Sequence, residues 1–246
     1  MLHRDVAPGI HRIEHADTNF YLVQDGQRLL LVDAGLAKSW RHLLDAVHEL
    51  GRRVEDIEAV VLTHGHFDHV GVAERVRKTS KATVYVHPED DHLARHPYHY
   101  QHEHSRTAAI VRHPKGLGPL GKMLLGGAIG IQGVRDTRYF GTGVSLGVPG
   151  SPIAIHVPGH TDGSVALWFE EQSALLTGDA LVTLDPYTAE KGPRTISGAA
   201  TKNHLDALAS LTHLTETNAR LVLPGHGEPW TEGIASAVEL ARTPHD

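Results

Sequence analysis

Thr63-His64-Gly65-His66-Phe67-Asp68-His69 is the stretch on which the reading of this chain turns. It follows a short apolar run, Ala59–Leu62, that reads as a strand. It precedes Val70–Lys78, whose spacing predicts a helix. Three imidazoles and a carboxylate thus sit on a strand-to-helix loop. A loop can turn such side chains toward one point, whereas an extended strand sends successive residues to opposite faces. Imidazole and carboxylate together suit zinc, manganese or iron. Taken alone, the segment leaves a second reading open, that of a solvated polar loop.

Three later segments repeat the placement. Pro158-Gly159-His160-Thr161 follows the predicted strand Ile153–Val157, and Thr177-Gly178-Asp179 follows Ala174–Leu176. Pro224-Gly225-His226-Gly227 follows Arg220–Leu223. Each puts one ligand-type residue just past an apolar strand and beside glycine, which lets backbone and ligand share a small volume. Strand ends of layered α/β folds are where sites are built.

The rest of the chain fits such layers. Ile10–His15, Asn19–Val23 and Arg28–Val32 read as strands, with an Asp25-Gly26 hairpin turn between the last two. Arg28–Val32 runs into Asp33-Ala34-Gly35. Trp40, Leu43, Leu44, Val47 and Leu50 recur at helical spacing, and Gly51 sits where a helix stops. Thr83–Val86 and Ser164–Phe169 read as further strands, and Asn203–Leu214 and Ile234–Ala241 as helices. Two halves that each run strands-then-helix predict stacked sheets with helices outside. Between His87 and Val148 the chain is rich in His, Gly and Pro, with weak periodicity. This part reads as an insertion of one or two helices plus loops.

Composition narrows the function. The 246 residues suffice for a full core. The absence of cysteine excludes disulfides, iron–sulfur clusters, a thiol nucleophile and cysteine-based zinc sites. A net charge of −6 gives no basic footprint for nucleic acid and no attraction to anionic membranes. Leu117–Val134, the longest low-charge stretch, contains Pro119, Lys122 and six glycines, too interrupted for a membrane span. A cytoplasmic protein without nucleic-acid or membrane partners is the expectation. Twenty-one histidines demand an account.

Weaker signals have blander readings. Gly143-Val144-Ser145-Leu146-Gly147 has the serine-hydrolase pattern, but Pro149, Gly150 and Pro152 speak against the helix it needs. Gly116-Leu117-Gly118-Pro119-Leu120-Gly121 has the dinucleotide pattern without a convincing preceding strand. His87, His92, His96, His99, His102, His104 and His113 lack the carboxylate-and-glycine frame of the other segments and read as a polar surface. Leu117–Val134 reads equally as the lining of an acyl pocket or as ordinary helix packing.

In order, His-x-His-x-Asp-His, Gly-His-Thr, Thr-Gly-Asp and Pro-Gly-His resemble the metallo-β-lactamase superfamily of dinuclear metal hydrolases. The resemblance implies an α/β fold, a four-layer αββα sandwich with the site along one edge. Residues 1–246 would form one such domain, with the insertion at about 87–148 forming part of the pocket. It implies one metal on His64, His66 and His160, a second on Asp68, His69 and His226, Asp179 bridging both, and Asp33 in support. The cofactors would be two divalent ions, zinc first, with manganese or iron as alternatives. Two such ions facing two carboxylates and a bridging hydroxide leave a net charge of about +1, suited to charge growing on a carbonyl oxygen. Asp68 or Asp179 would orient the hydroxide and relay its proton. The implied reaction is cleavage of an ester, thioester or lactone of a small molecule.

Departures narrow the branch. The missing cysteine excludes the β-lactamases with a cysteine ligand, and Asp179 disfavours the branch that lacks the bridge. His66 stands where flavodiiron oxidoreductases carry glutamate. The thioesterase (glyoxalase II-like) and lactonase-like branches remain, without the Arg/Lys pattern expected for glutathione. Val182 stands where an acyl-homoserine lactonase would carry tyrosine. Tyr187 could replace that donor, against a surface or packing role. An iron-dependent oxidoreductase and a β-lactamase stay as alternatives, and a homodimer stays open.

Overall fold

The structure is a computed structural model and describes residues 1–243. Seven strands form one sheet in chain order: β1 (Leu2–Ala7), β2 (Ile10–His15), β3 (Thr18–Asp25), β4 (Arg28–Val32), β5 (Ile57–Val61), β6 (Thr83–Val86) and β7 (Arg138–Tyr139). Pairing is antiparallel from β1 to β4 and parallel from β4 to β7. The second sheet contains β8 (Ile153–His156), β9 (Val165–Phe169), β10 (Ala174–Gly178) and the late strand β13 (Leu221–Pro224), in the order β13-β10-β9-β8. Between β10 and β13 the chain makes a small hairpin, β11 (Val182–Leu184) and β12 (Lys191–Arg194).

Period-two alternation decides which side chain goes where. Leu30, Val32 and Val61 meet Leu167, Phe169, Leu176 and Leu223 between the sheets. Their neighbours Leu29, Leu31 and Val60 face the other way, onto α1 (Ser39–Glu49) and α3 (Ala73–Ser80) through Leu43, Val47 and Val76. On the far side Ala166, Leu175 and Val222 pack on α7 (His204–Thr215) and α8 (Gly233–Arg242) through Leu211, Leu214, Ile234 and Val238. The result is the four-layer αββα sandwich. Truncating a fully buried leucine such as Leu31 to alanine costs about 2–5 kcal/mol.

Four details differ from the sequence reading. The helix expected over Val70–Lys78 is two pieces, α2 (Phe67–Val70) and α3. A Cβ on Gly71 would collide with the Gly35 carbonyl, so the chain is pressed against that loop and bends there. β1 was not visible because charged residues interrupt its half-buried Leu2 and Val6, as befits an edge strand. β11 and β12 are too short, and β12 too rich in Gly and Pro, to show a period.

The fourth correction concerns 87–148. It does contain helices: α4 (Asp91–Arg95), α5 (Arg106–Arg112) and α6 (Leu117–Leu125). Its last part is sheet and core, however. β7 pairs with β6, and Leu146 and Val148 pack between the sheets. Only two exposed residues pair in β7, which leaves no periodic signal. In α6, Met123 is buried against Leu36, while Leu117, Leu124 and Leu125 are exposed.

The two glycine patterns lack their required context. Ser145 is exposed, donates to the Ser151 carbonyl at 2.9 Å, and is followed by no helix. Gly116–Gly121 is preceded by the 3-10 turn Pro114–Gly116 and not by a strand. Among the described residues, no helix is long and apolar enough to cross a membrane.

Candidate metal centre

The loops leaving β5, β8, β10 and β13 meet at one edge of the sandwich. They bring together all seven side chains picked from the sequence: His64, His66, Asp68, His69, His160, Asp179 and His226. Every one of them is buried. Three overlapping triads each place one donor atom per residue within 4.8 Å of the others: His64, His66 and His160; His64, His69 and Asp179; and Asp68, His69 and His226. Asp179 lies in the middle. Its Oδ2 is 3.6 Å from His160 Nε2, 3.8 Å from His64 Nε2 and 3.3 Å from His226 Nε2. Its Oδ1 is 3.3 Å from His69 Nε2. Asp68 Oδ2 is 3.3 Å from His226 Nε2.

The outer nitrogens of four imidazoles are held from behind. The Thr63 hydroxyl donates to Asp33 at 2.8 Å, so His64 Nδ1 donates to that hydroxyl oxygen, at 3.1 Å. The Thr201 hydroxyl donates to the Ile196 carbonyl at 2.8 Å, so His160 Nδ1 donates to Thr201, at 3.2 Å. His69 Nδ1 donates to Asp33 at 2.9 Å, and His226 Nδ1 to the Asp17 carbonyl at 2.6 Å. This fixes the tautomer and aims Nε2 inward. Among the described residues, the Nε2 atoms of His64, His69 and His226 and Oδ1 of Asp179 are buried at the centre without a hydrogen-bond partner, while His66 turns Nδ1 inward, 3.0 Å from His160 Nε2. Orphaned donors aimed at one point are costly unless something charged joins them. The N/O donor set fits two divalent transition-metal ions.

Electrostatics agree with that fit. Burial, aided by neighbouring imidazoles, holds His64 and His66 well below the ordinary histidine value. Burial also lowers His160, to about 4, despite Asp179. Burial acts the same way on His226 and His69, but carboxylates outweigh it. Asp179 and Asp68 raise His226 to about 10, and Asp179, Asp33 and Asp68 hold His69 well above its usual value. Against its own burial, Asp179 is held well below the carboxylate range by His226 and His69. The carboxylates thus favour positive charge at His226 and His69, the charge that bound cations would supply.

Local backbone makes the crowding feasible. Asp33 adopts a left-handed φ of 58°, directly after β4, and its carboxylate reaches Thr63 N at 2.8 Å as well as His69. A Cβ on Gly225 would collide with Asp179 Oδ1 and crowd His69, so only glycine fits beside His226.

Sequence reasoning missed several supporting residues. Asp90, buried on the turn after β6, accepts from Gly65 N, the Thr161 hydroxyl and Gly163 N, each at 2.8 Å. One carboxylate thus ties the loop of His64 and His66 to that of His160. Its signal was its place past a strand, but it is masked by Glu89 and Asp91 on either side. Asn19 donates to the Pro224 and Gly227 carbonyls at 3.0 and 2.7 Å, and buried Arg12 reaches Gly227 at 3.2 Å, bracing the His226 loop.

Over the centre lies a cavity of about 10 Å³, roughly one water. Phe67, Tyr100, Met123 and Tyr187 line it together with His66, Asp68, His160, Asp179 and His226. Tyr187 is therefore a buried pocket residue and not a surface one. Its hydroxyl lies 3.3 Å from that of Tyr100, whose ring sits 4.0 Å from His66. Burial raises both phenols above their ordinary range, so both remain protonated donors.

Comparison with known proteins places this architecture. A YobT protein of Bacillus subtilis, uncharacterized, is 27% identical over 221 residues, 85% of this chain and 83% of its own. YflN of the same organism, a probable metallo-hydrolase, is 23% identical, covering 92% of this chain and 87% of its own. The metallo-β-lactamase family protein TTHA1429 of Thermus thermophilus superposes with a TM-score of 0.69 at 26% identity, over 95% of this chain and 78% of its own. TTHA1623, solved in a di-iron-bound form, gives 0.61 at 28% identity, over 89% and 92%. The profile of the metallo-beta-lactamase superfamily matches residues 15–226, from the end of β2 to the last histidine of the centre, and this chain belongs to that superfamily.

Proposed function

We propose that the chain is a metal-dependent hydrolase that cleaves an ester, thioester or lactone of a small molecule. The observation that carries this reading is the set of inward, orphaned Nε2 atoms of His64, His69 and His226 arranged around Asp179. His64, His66 and His160 would hold one divalent ion; Asp68, His69 and His226 would hold the other, with Asp179 shared. Bound there, the ions supply Lewis acidity and a water acidic enough to be a nucleophile near neutral pH.

The chain's own residues do the rest. Asp33, Thr63, Thr201 and the Asp17 carbonyl hold four of the five imidazoles in place before any ion binds. Asp68, 3.3 Å from His226 and lining the cavity, is placed to accept the nucleophile's proton and return it to the leaving group. Tyr187 and Tyr100, as neutral phenols, offer hydrogen bonds to a substrate carbonyl or leaving oxygen. Phe67 and Met123 exclude bulk water from that corner.

A second reading, iron-dependent redox chemistry on the same centre, is favoured by the di-iron form of TTHA1623. One experiment separates the two. Protein stripped by chelator and reloaded with Zn²⁺, Mn²⁺ or Fe²⁺ is assayed on a panel of thioesters, lactones, aryl esters and β-lactams. Hydrolysis restored by redox-inert Zn²⁺ supports the proposal. Activity that survives the chelator, or that returns only with iron and oxygen, rejects it.

A further inference from the structure

Outside the seven-residue centre, His87, Glu89 and His156 also bring three donor atoms within 4.8 Å of one another. They come from separate parts of the fold. His87 directly follows β6 of the large sheet, Glu89 lies on the turn Pro88–Asp90, and His156 ends β8, an edge strand of the small sheet. The two imidazoles stack with centroids 4.4 Å apart and an interplanar angle of 16°. Glu89 Oε2 is 3.5 Å from His156 Nε2 and 3.9 Å from His87 Nδ1. His87 Nδ1 accepts only a long 3.4 Å contact from Glu89 N, so its lone pair faces this turn. His156 Nε2–H donates to the Asp162 carbonyl oxygen at 2.7 Å, so that oxygen turns from acceptor to fourth ligand only once the ring proton has left Nε2.

The surroundings favour a cation. Glu89 and Asp162 are both acidic, and the nearby Lys202 is paired with the Asp162 carboxylate. Two imidazoles stacked this closely repel each other when both are protonated. Burial and the neighbouring His156 accordingly lower His87 from its ordinary value. Two imidazoles with a carboxylate and a carbonyl form an N₂O₂ set of the kind that binds zinc, nickel or copper.

We propose that His87, Glu89 and His156, with the Asp162 carbonyl, form a separate site for one divalent transition-metal ion. The ion clamps the end of β6 in the large sheet to the end of β8, the edge strand of the small sheet. It also ties together, from the outside, the turn that carries Asp90 and the loop from His160 to Gly163. Those are the segments that the Asp90 carboxylate joins from the inside. For His156 to act as a ligand through Nε2, its ring proton moves to Nδ1; the ring stays neutral and no net proton is lost.

Metal content tests the site on the intact protein. Wild type, His156→Gln and Glu89→Gln are equilibrated with micromolar Zn²⁺, freed of loose metal by dialysis, and analysed for zinc per chain. His156→Gln is expected to hold one ion fewer than wild type. Glu89→Gln, at an exposed side chain that leaves the fold intact, should weaken that ion at least about tenfold in a zinc titration. The difference of one ion is independent of how many ions the buried centre takes. Equal content in all three proteins overturns the proposal. So does a drop of two or more, which would mean that the variants disturb the buried centre and remove no site of their own.

Discussion

Two regions of this molecule are rich in histidine, and they behave differently. The loops that end β5, β8 and β13 bury their imidazoles, and on His64, His69, His160 and His226 they hold Nδ1 from behind and leave Nε2 facing a shared carboxylate. In the segment after β6, His92, His96 and His99 lie on one another, with centroids 4.8 to 6.1 Å apart and no carboxylate among them. The lesson is that histidine number does not define a metal site. In the buried centre a held outer nitrogen and an unsatisfied inner one make the site, and at His87 and His156 the carboxylate of Glu89 between the rings does so.

The largest expected break of this contrast is Asp179→Ala. It removes the one side chain that both ions of the proposed centre would share and leaves five imidazoles without their central anion. Turnover should fall at least about a thousandfold, about 4 kcal/mol of transition-state stabilisation. Metal analysis should show the second ion lost. Full two-ion occupancy in this variant would contradict the arrangement.

Asp90→Asn asks whether support matters as much as ligation. An amide can accept from only part of the Gly65, Thr161 and Gly163 trio, and its NH₂ then faces backbone N–H donors. Metal affinity at the His64–His66–His160 triad should drop about 10–100-fold. A calorimetric zinc titration reads this directly. A variant that loses thermal stability yet binds metal like wild type would assign Asp90 to folding alone.

These two aspartates also mark how far the sequence could be read. Asp179 was legible because Thr-Gly-Asp follows an apolar strand and repeats the placement of three other segments. The layers were legible because Leu29–Val32 and Ala174–Leu176 alternate between two cores. Asp90 was not, since it stands in Glu89-Asp90-Asp91, where only the fold decides which carboxyl turns inward. Asn19 and Arg12 were not legible either, because they act across more than 200 residues on the His226 loop. Long-range backbone bracing leaves no local pattern.

The pH dependence sharpens the contrast further. His226, raised to about 10 in the metal-free protein, must give up a proton when metal binds. Apparent affinity should therefore rise with pH between about 7 and 9, by about tenfold per unit for each proton displaced. The same raised value means that the contribution of His226 to metal-free stability is full below about 6.5 and is lost as pH rises through about 10. Zinc titrations at three pH values, with proton release followed in buffers of different ionisation enthalpy, check the sign. A flat profile would mean that His226 carries no displaceable proton.

The smallest expected effect comes from the other region. His96→Asn and His102→Asn remove exposed imidazoles outside the seven-residue centre. Surface substitutions of this kind usually shift stability by no more than about 0.5 kcal/mol. Hydrolysis should change less than about twofold, within the small range that such surface changes allow. Zinc content should stay the same as in wild type. Were either variant to lose an ion, exposed imidazoles with no carboxylate between them would suffice as a site after all. The distinction between imidazoles that share a carboxylate and imidazoles that only pack on one another would then fail, since His96 packs against the rings of His92 and His99.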